Sequence, residues 1–186
     1  TIGYQLVGLN AKYGVPLKVP SGTAGHGPAL QLTYDGGGAN GVLGFGWLLS
    51  ARSVQRRTDR GIPTYGENVD FARNDVFTDD TKEELVPTTN GFYFCRNEEA
   101  FVRYQQVADH WEATTPVGAQ LAFGTTPEAR IEVAGRTFSW LLQRETDTHG
   151  NTIVYAYTTF SGIQNTNQKY LSSIAYGPGA PPWENF

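Results

Sequence analysis

The sequence predicts an all-β fold, either a sandwich or strongly twisted antiparallel sheets, with little helix. Three observations carry that prediction. Apolar and polar residues alternate at period two through most of the chain, as in strands with one buried face. The composition suits strands and turns, with 22 Gly, 20 Thr and 13% aromatic residues in 186. Clusters of Gly, Asp, Asn and Pro then cut the alternating runs into short segments.

Residues 1–20 read as an N-terminal arm and a first strand. Leu30, Leu32 and Tyr34 alternate with Gln31 and Thr33 and predict a strand. Phe45 to Val54 predicts another, running on with polar residues through Arg57. Shorter strands are expected at Gly91–Cys95, Phe101–Gln106, Trp111–Thr114, Gln120–Phe123 and Arg130–Val133. A helix over Asn97–Ala108 competes with one of these, because Ala100, Phe101, Tyr104 and Val107 recur near helical spacing. The polar stretch Thr58–Thr89 predicts irregular loops and short edge strands. Thr137–Arg144 and Thr152–Phe160 flank Asp147-Thr148-His149-Gly150-Asn151, which reads as a hairpin with a longer, Gly-containing loop. Tyr170–Tyr176 is a last strand, ended by Gly177-Pro178-Gly179 at the start of a 177–186 tail. No break in composition divides the chain, so residues 1–186 predict one domain.

Composition excludes several function classes. No apolar run approaches the ~18 residues of a membrane helix. The single Cys95 excludes an internal disulfide framework and a Cys-based zinc site. His26, His110 and His149 lack the spacing of a metal site, and no cofactor is expected. The net charge is −4 with pI ≈ 5.3, and only Arg52, Arg56, Arg57 and Arg60 cluster, which is thin for a nucleic-acid surface. The absence of Met predicts a chain that is processed or cut from a longer protein.

The glycine block Gly36-Gly37-Gly38-Ala39-Asn40-Gly41 has dinucleotide-fingerprint spacing, but the fingerprint needs a helix to open at its last glycines. Gly44 and Gly46 occupy the place of that helix, so a wide turn between strands is expected instead. Among binding candidates, Tyr65 and Trp111 are read as exposed aromatics which, with Asp59 and nearby Asn and Arg, have the chemistry of a sugar-binding surface. A hydrolase site would draw on His26, Asp59 and Tyr65. Cys95 on an alternating strand reads as a small core residue rather than a nucleophile. The pairs Asp79-Asp80 and Glu83-Glu84 read as a solvated acidic turn rather than a calcium loop.

Several longer blocks together resemble one family. Gly14-Val15-Pro16-Leu17 and Gly25-His26-Gly27-Pro28-Ala29-Leu30 resemble its opening. Leu32-Thr33-Tyr34-Asp35-Gly36-Gly37-Gly38-Ala39-Asn40-Gly41, running into Leu43-Gly44-Phe45-Gly46-Trp47-Leu48-Leu49-Ser50, is similar to the signature of the SpvB N-terminal domain. The same region begins the B component of bacterial Tc insecticidal toxin complexes. Arg57 to Tyr65, Glu84-Leu85-Val86-Pro87, Phe138 to Leu142 and the Asp147–Tyr157 hairpin follow in the family's order, while Gly91 to Val133 matches only loosely.

The resemblance implies a Tc/Rhs-like shell element. In that family this region contributes strands to a hollow β-shell that encloses toxic cargo. It implies a secreted or exported, non-enzymatic scaffold or attachment module, since the family's ADP-ribosylating domain lies far downstream of this region. The partners it implies are other parts of a toxin shell or partner subunits. Alone, such a module would expose edge strands, which predicts self-association into a homo-oligomer or attachment to a partner. The competing expectation is a carbohydrate-binding module for glycans on the same fold, built on Tyr65, Asp59 and Trp111.

Overall fold

The computed structural model describes residues 3–7, 10–38, 40–41, 43–49, 52–59, 61–65, 75–97, 100–159 and 167–177. Ala39, Arg60, Phe160 and the tail beyond Gly177 lie outside the described residues.

Period-two alternation yields strands at most of the places expected, and residues 1–20, expected as an arm and one strand, hold two paired strands of a small N-terminal sheet. β1 (Gly3–Val7) and β2 (Asn10–Leu17) pair antiparallel, and β3 (Leu30–Asp35) returns along β2 after one 3-10 turn at Thr23–Gly25. The glycine block gives no helix. It makes a two-strand ribbon of β4 (Asn40–Gly41) and β5 (Gly44–Phe45), after which β6 (Trp47–Leu49) pairs with β3. This sheet has the order β1-β2-β3-β6.

The long strand expected from Phe45 to Val54 is therefore a correction, because the chain breaks there and changes sheet. Gly46 sits at φ +74, its carbonyl accepts the Asp35 amide at 2.8 Å, and a Cβ there would lie 2.7 Å from the Asp35 carbonyl oxygen. Only glycine tolerates both demands, and the turn ends β5.

From β7 (Ser53–Arg56) the chain runs as an antiparallel meander: β8 (Phe77–Thr78), β9 (Glu84–Pro87), β10 (Phe92–Cys95), β11 (Arg103–Val107), β12 (His110–Thr114) and β13 (Gln120–Phe123). No helix forms over Asn97–Ala108 among the described residues, since Tyr104 is buried while Arg103 and Gln105 face out, the alternation of a strand. A 3-10 turn at Pro127–Ala129 leads into β14 (Arg130–Val133), and the tight Ala134-Gly135 turn, both residues at positive φ, leads into β15 (Arg136–Thr146).

β15 closes the meander. Its Ser139–Leu141 stretch pairs with β7, and its Leu142–Thr146 stretch pairs with β13, so β7 to β13 and β15 form a closed eight-strand barrel. The bulge opposite Ala122 and Phe123 bends the pair and aids closure. The architecture is thus a barrel with added sheet, not specifically a sandwich. β16 (Thr152–Thr158) pairs with β15 only over Thr152–Val154, then leaves the barrel with β17 (Tyr170–Tyr176).

The hairpin before β16 is set by Asp147, whose carboxylate accepts the His149 and Asn151 amides at 2.8 Å and the Asn151 side chain at 2.7 Å. Gly150 supplies the positive φ that this loop requires.

The barrel interior is aromatic. Trp111 is 0% exposed, with the Phe77 and Tyr93 rings each 4.9 Å away and Trp140 at 6.2 Å, all edge-on. Val54, Leu85, Leu121, Phe123 and Leu142 fill the remaining space. Removing the Trp111 side chain leaves a cavity in a wall that cannot collapse, so Trp111→Ala should destabilise the fold by ~3–5 kcal/mol. Urea unfolding followed by the remaining Trp fluorescence would check this value, and a loss below ~1 kcal/mol would contradict the packing described.

Candidate functional site

Trp111 requires the first correction among the sequence candidates. It lies at the centre of the barrel, not on the surface, so its ring cannot stack on a sugar. Alternation along β12 placed it on a face that barrel closure turned inward.

Tyr65 and Asp59 attach to two neighbouring arginines. At the end of β7, Arg56 donates from Nη1 to Asp75 at 2.7 Å and from Nε to the Thr137 carbonyl at 2.8 Å. Its guanidinium lies over the rings of Tyr65 and Phe77 at 5.0 Å and of Trp140 at 5.6 Å. Asp75, whose side chain is 8% exposed, also accepts the Thr64 and Tyr65 amides at 2.7 Å. The loop carrying Tyr65 is thereby pinned over the barrel, with Tyr65 held at φ 53 and Arg136 also 5.8 Å from its ring centre. The Tyr65 ring therefore already engages two protein cations. Arg57 serves a different group: it pairs with Asp59 at 2.8 Å and with Glu84 at 2.6 Å, and Glu84 also holds Arg96. Tyr65, Asp59 and Trp111 thus belong to three separate arrangements.

Among the described residues, His26 lies with a different group. Its amide donates to the Thr23 carbonyl, and the ring sits within charge range of Asp147 rather than in any described contact with Asp59 or Tyr65. Cys95 packs against the core, with its thiol 3.5 Å from Asp79. Asp79 is a turn former: its carboxylate takes the Thr81 and Glu83 amides and the Thr81 hydroxyl. Among the described residues no group of three or more His, Cys, Asp or Glu is placed to hold a metal ion.

Two concavities flank the point where β16 leaves the barrel. A cavity of about 150 Å³ is lined by Leu30, Arg52, Leu142, Glu145, Tyr155 and Leu171, so the N-terminal sheet meets the barrel there. Burial pushes the Tyr155 phenol up to about 12, with the Glu145 charge adding to the rise and Arg52 opposing it. Burial also raises Tyr104 and Tyr157, so these phenols act as neutral hydrogen-bond groups, and Tyr157 donates to the Leu142 carbonyl at 2.7 Å. A wider groove of about 550 Å³ runs between Thr125–Ala129 and β16. Its wall is clamped by Gln143, which bonds the Thr125 hydroxyl and both the amide and hydroxyl of Thr126. On the groove wall the Thr126 side chain hydrogen-bonds to Glu128, which lowers that carboxyl below its ordinary value.

Sequence reasoning missed Arg130, which is 8% exposed, donates to the Gly124 and Thr125 carbonyls and pairs with Asp109. The Asp109 carbonyl in turn accepts the Trp140 indole N–H at 2.7 Å, so this group locks the barrel end. No local pattern marks such a residue, since its partners come from two separate loops.

What the fold offers at its surface is strand edge. Among the described residues, β17 ends the β15-β16-β17 extension beside the closed barrel, and β1 and β6 end the N-terminal sheet.

The comparisons with known proteins fall on this same framework. The family profile described as Salmonella virulence plasmid 65kDa B protein matches residues 8–100 and 91–186. The mono(ADP-ribosyl)transferase SpvB of Salmonella typhimurium is 29% identical over 205 aligned residues, covering 90% of this chain and 34% of that protein. The chain therefore spans about a third of the length of the curated relatives it matches. The solved N-terminal domain of the effector SpvB from Salmonella typhimurium superposes with TM-score 0.73 at 25% identity, over 92% of this chain and 66% of that one. The Photorhabdus luminescens Tc holotoxin pore superposes with TM-score 0.80 at 27% identity, over 95% of this chain and 10% of that one. The TcdB2-TccC3 crystal structure gives 0.79 at 27% identity.

The ionised surface network sets an acid limit. A hydrogen bond from Arg96 lowers Glu84 from its usual 4.5, one from Arg130 lowers Asp109 from 3.8, and one from Asn151 lowers Asp147 from 3.8. Carboxylates lowered in the fold contribute stability that is fully present above their unfolded values and is lost as pH falls through the folded ones. Melting temperature should therefore drop as pH falls below about 4. The gap between the wild type and Asp147→Ala should narrow over the same range, and a gap that stays constant down to pH 2 would contradict the account.

Proposed function

The chain belongs to the SpvB family, and from that membership we propose that it is a non-enzymatic β-scaffold and attachment module of an exported toxin-like assembly. The observation that carries this reading is a closed, aromatic-filled barrel with sheets whose outer strands, among the described residues, are β1, β6 and β17: the barrel supplies rigidity and such outer strands supply attachment. The neighbours support it, since the same fold makes up 10% of chains in Tc toxin complexes. Mono(ADP-ribosyl)transferase is the name of the whole relative, two thirds of which lies outside the matched region. The scaffold reading assigns this chain no part in that chemistry. Among the described residues no helix is long and apolar enough to cross a membrane. The carbohydrate-binding alternative loses its support with Trp111 inside the barrel and Tyr65 engaged by Arg56 and Arg136.

A chimera tests the proposal. This chain should replace the matched tenth of the TcdB2-TccC3 chain and still give closed particles by negative-stain electron microscopy. A chimera that keeps its β-sheet circular dichroism but fails to assemble would sink the scaffold reading. The chain alone, given NAD and a target protein, should transfer no labelled ADP-ribose, and transfer above the blank would overturn the non-enzymatic part.

A further inference from the structure

Arg52, at the start of β7, is a loosely held guanidinium. Arg56, Arg57 and Arg130 each donate hydrogen bonds to a carboxylate. Arg52 instead meets Asp80 through Nε at 3.8 Å, beyond hydrogen-bond reach. The two side chains are 34% and 32% exposed, so the pair is a weak one.

A second carboxylate lies on the other side of it. Arg52 and Glu145 line the same 150 Å³ cavity at the seam between barrel and N-terminal sheet, and Glu145 has no ion-pair partner among the described residues. Both act on the Tyr155 phenol across that cavity, Glu145 raising it and Arg52 lowering it. Towards the β8–β9 turn, burial raises the Asp80 carboxyl above its usual 3.8, with Arg52 opposing, Asp79 adding to the rise and Lys82 opposing. Burial lowers the Lys82 ammonium against the attraction of Asp80 and Asp79. Tyr104 of β11 feels Arg52, Asp79, Cys95 and Asp80 together. The N-terminal sheet and β17 bring only the uncharged Ala29, Leu30 and Leu171 to the cavity.

A carboxyl raised in the fold contributes stability that is full below its unfolded value and is lost as pH rises through the folded one. Asp80 therefore runs opposite to Glu84, Asp109 and Asp147: acid removes a cost at this joint while it weakens the others. The backbone shows what the joint holds. The Arg52 carbonyl takes the Leu142 amide at 2.9 Å, and Glu145 lies three residues further along β15, where that strand has passed from β7 to β16.

We propose that Asp80 and Glu145 compete for Arg52, and that a proton taken from solvent by Asp80 hands the guanidinium across the cavity to Glu145, fastening β7 to the part of β15 that carries the β16-β17 extension. The barrel and its extension are then joined more firmly in mild acid than at neutral pH. Asp80→Asn makes the neutral state permanent. The joint is internal to the fold and works alike whether or not the chain enters a shell, so failure of the chimera to form particles bears on the scaffold reading alone.

Nuclear magnetic resonance of the 186-residue chain, with labelled carboxyl carbons and arginine side-chain nitrogens, tests the exchange of partners. In the wild type the Asp80 carboxyl should titrate above its usual 3.8. At pH 7 the Arg52 side-chain N–H groups of Asp80→Asn should exchange with water about threefold more slowly than those of the wild type, the size of effect that a partly exposed ion pair gives. Adding Glu145→Gln should abolish that slowing, with circular dichroism confirming the fold of each variant. A wild-type Asp80 midpoint at or below 3.8 would overturn the proposal, and this measurement needs no variant to fold. So would Arg52 exchange that is unchanged in Asp80→Asn, or that stays slow once Glu145→Gln is added.

Discussion

The constraint on which the rest of the structure depends is that β15 must satisfy two hydrogen-bonding edges along its whole length. Eleven residues long, it meets β14 and then β13 on one edge, and β7 and then β16 on the other. The handover from β7 to β16 falls near Leu142, whose amide is taken by the Arg52 carbonyl at 2.9 Å. That handover closes the barrel and at the same time releases a second sheet from it. A shorter β15 could do one or the other, and the module would be either an isolated barrel or an open sheet.

Around that strand, polar groups hold loops in place. Arg56 with Asp75 fastens the Tyr65 loop over one part of the barrel. Arg130 with Asp109 and the Trp140 indole fastens another. In each case a guanidinium satisfies several acceptors at once, which its rigid planar set of donors suits better than an ammonium would. The phenols of Tyr104, Tyr155 and Tyr157 are kept neutral by burial, which again favours hydrogen bonding over proton transfer.

Much of this was legible in residue order. Alternation located the strands at Leu30, Gln120, Arg130, Thr152 and Tyr170 within a few residues, because a half-buried strand repeats at period two whatever it pairs with. The Asp147-to-Asn151 turn and the rejection of a nucleotide-binding helix at Gly36–Gly46 were also local, since each depends on the conformations of a few consecutive residues. The family signature lay in those same segments.

Long-range pairing was not legible. Nothing near Ser53 states that it will meet Leu141, and that contact makes a barrel of what otherwise reads as a sandwich. Nor does anything near Trp111 state which face of β12 will close inward, so a side chain taken for a surface platform became the centre of the core. Tyr65 and Asp59 stand six residues apart, yet they were divided between two neighbouring arginines. The sequence alone determined strands, turns and family, because those follow from local conformational preference. Tertiary structure alone decided closure and burial, because each depends on which edges find one another across the chain.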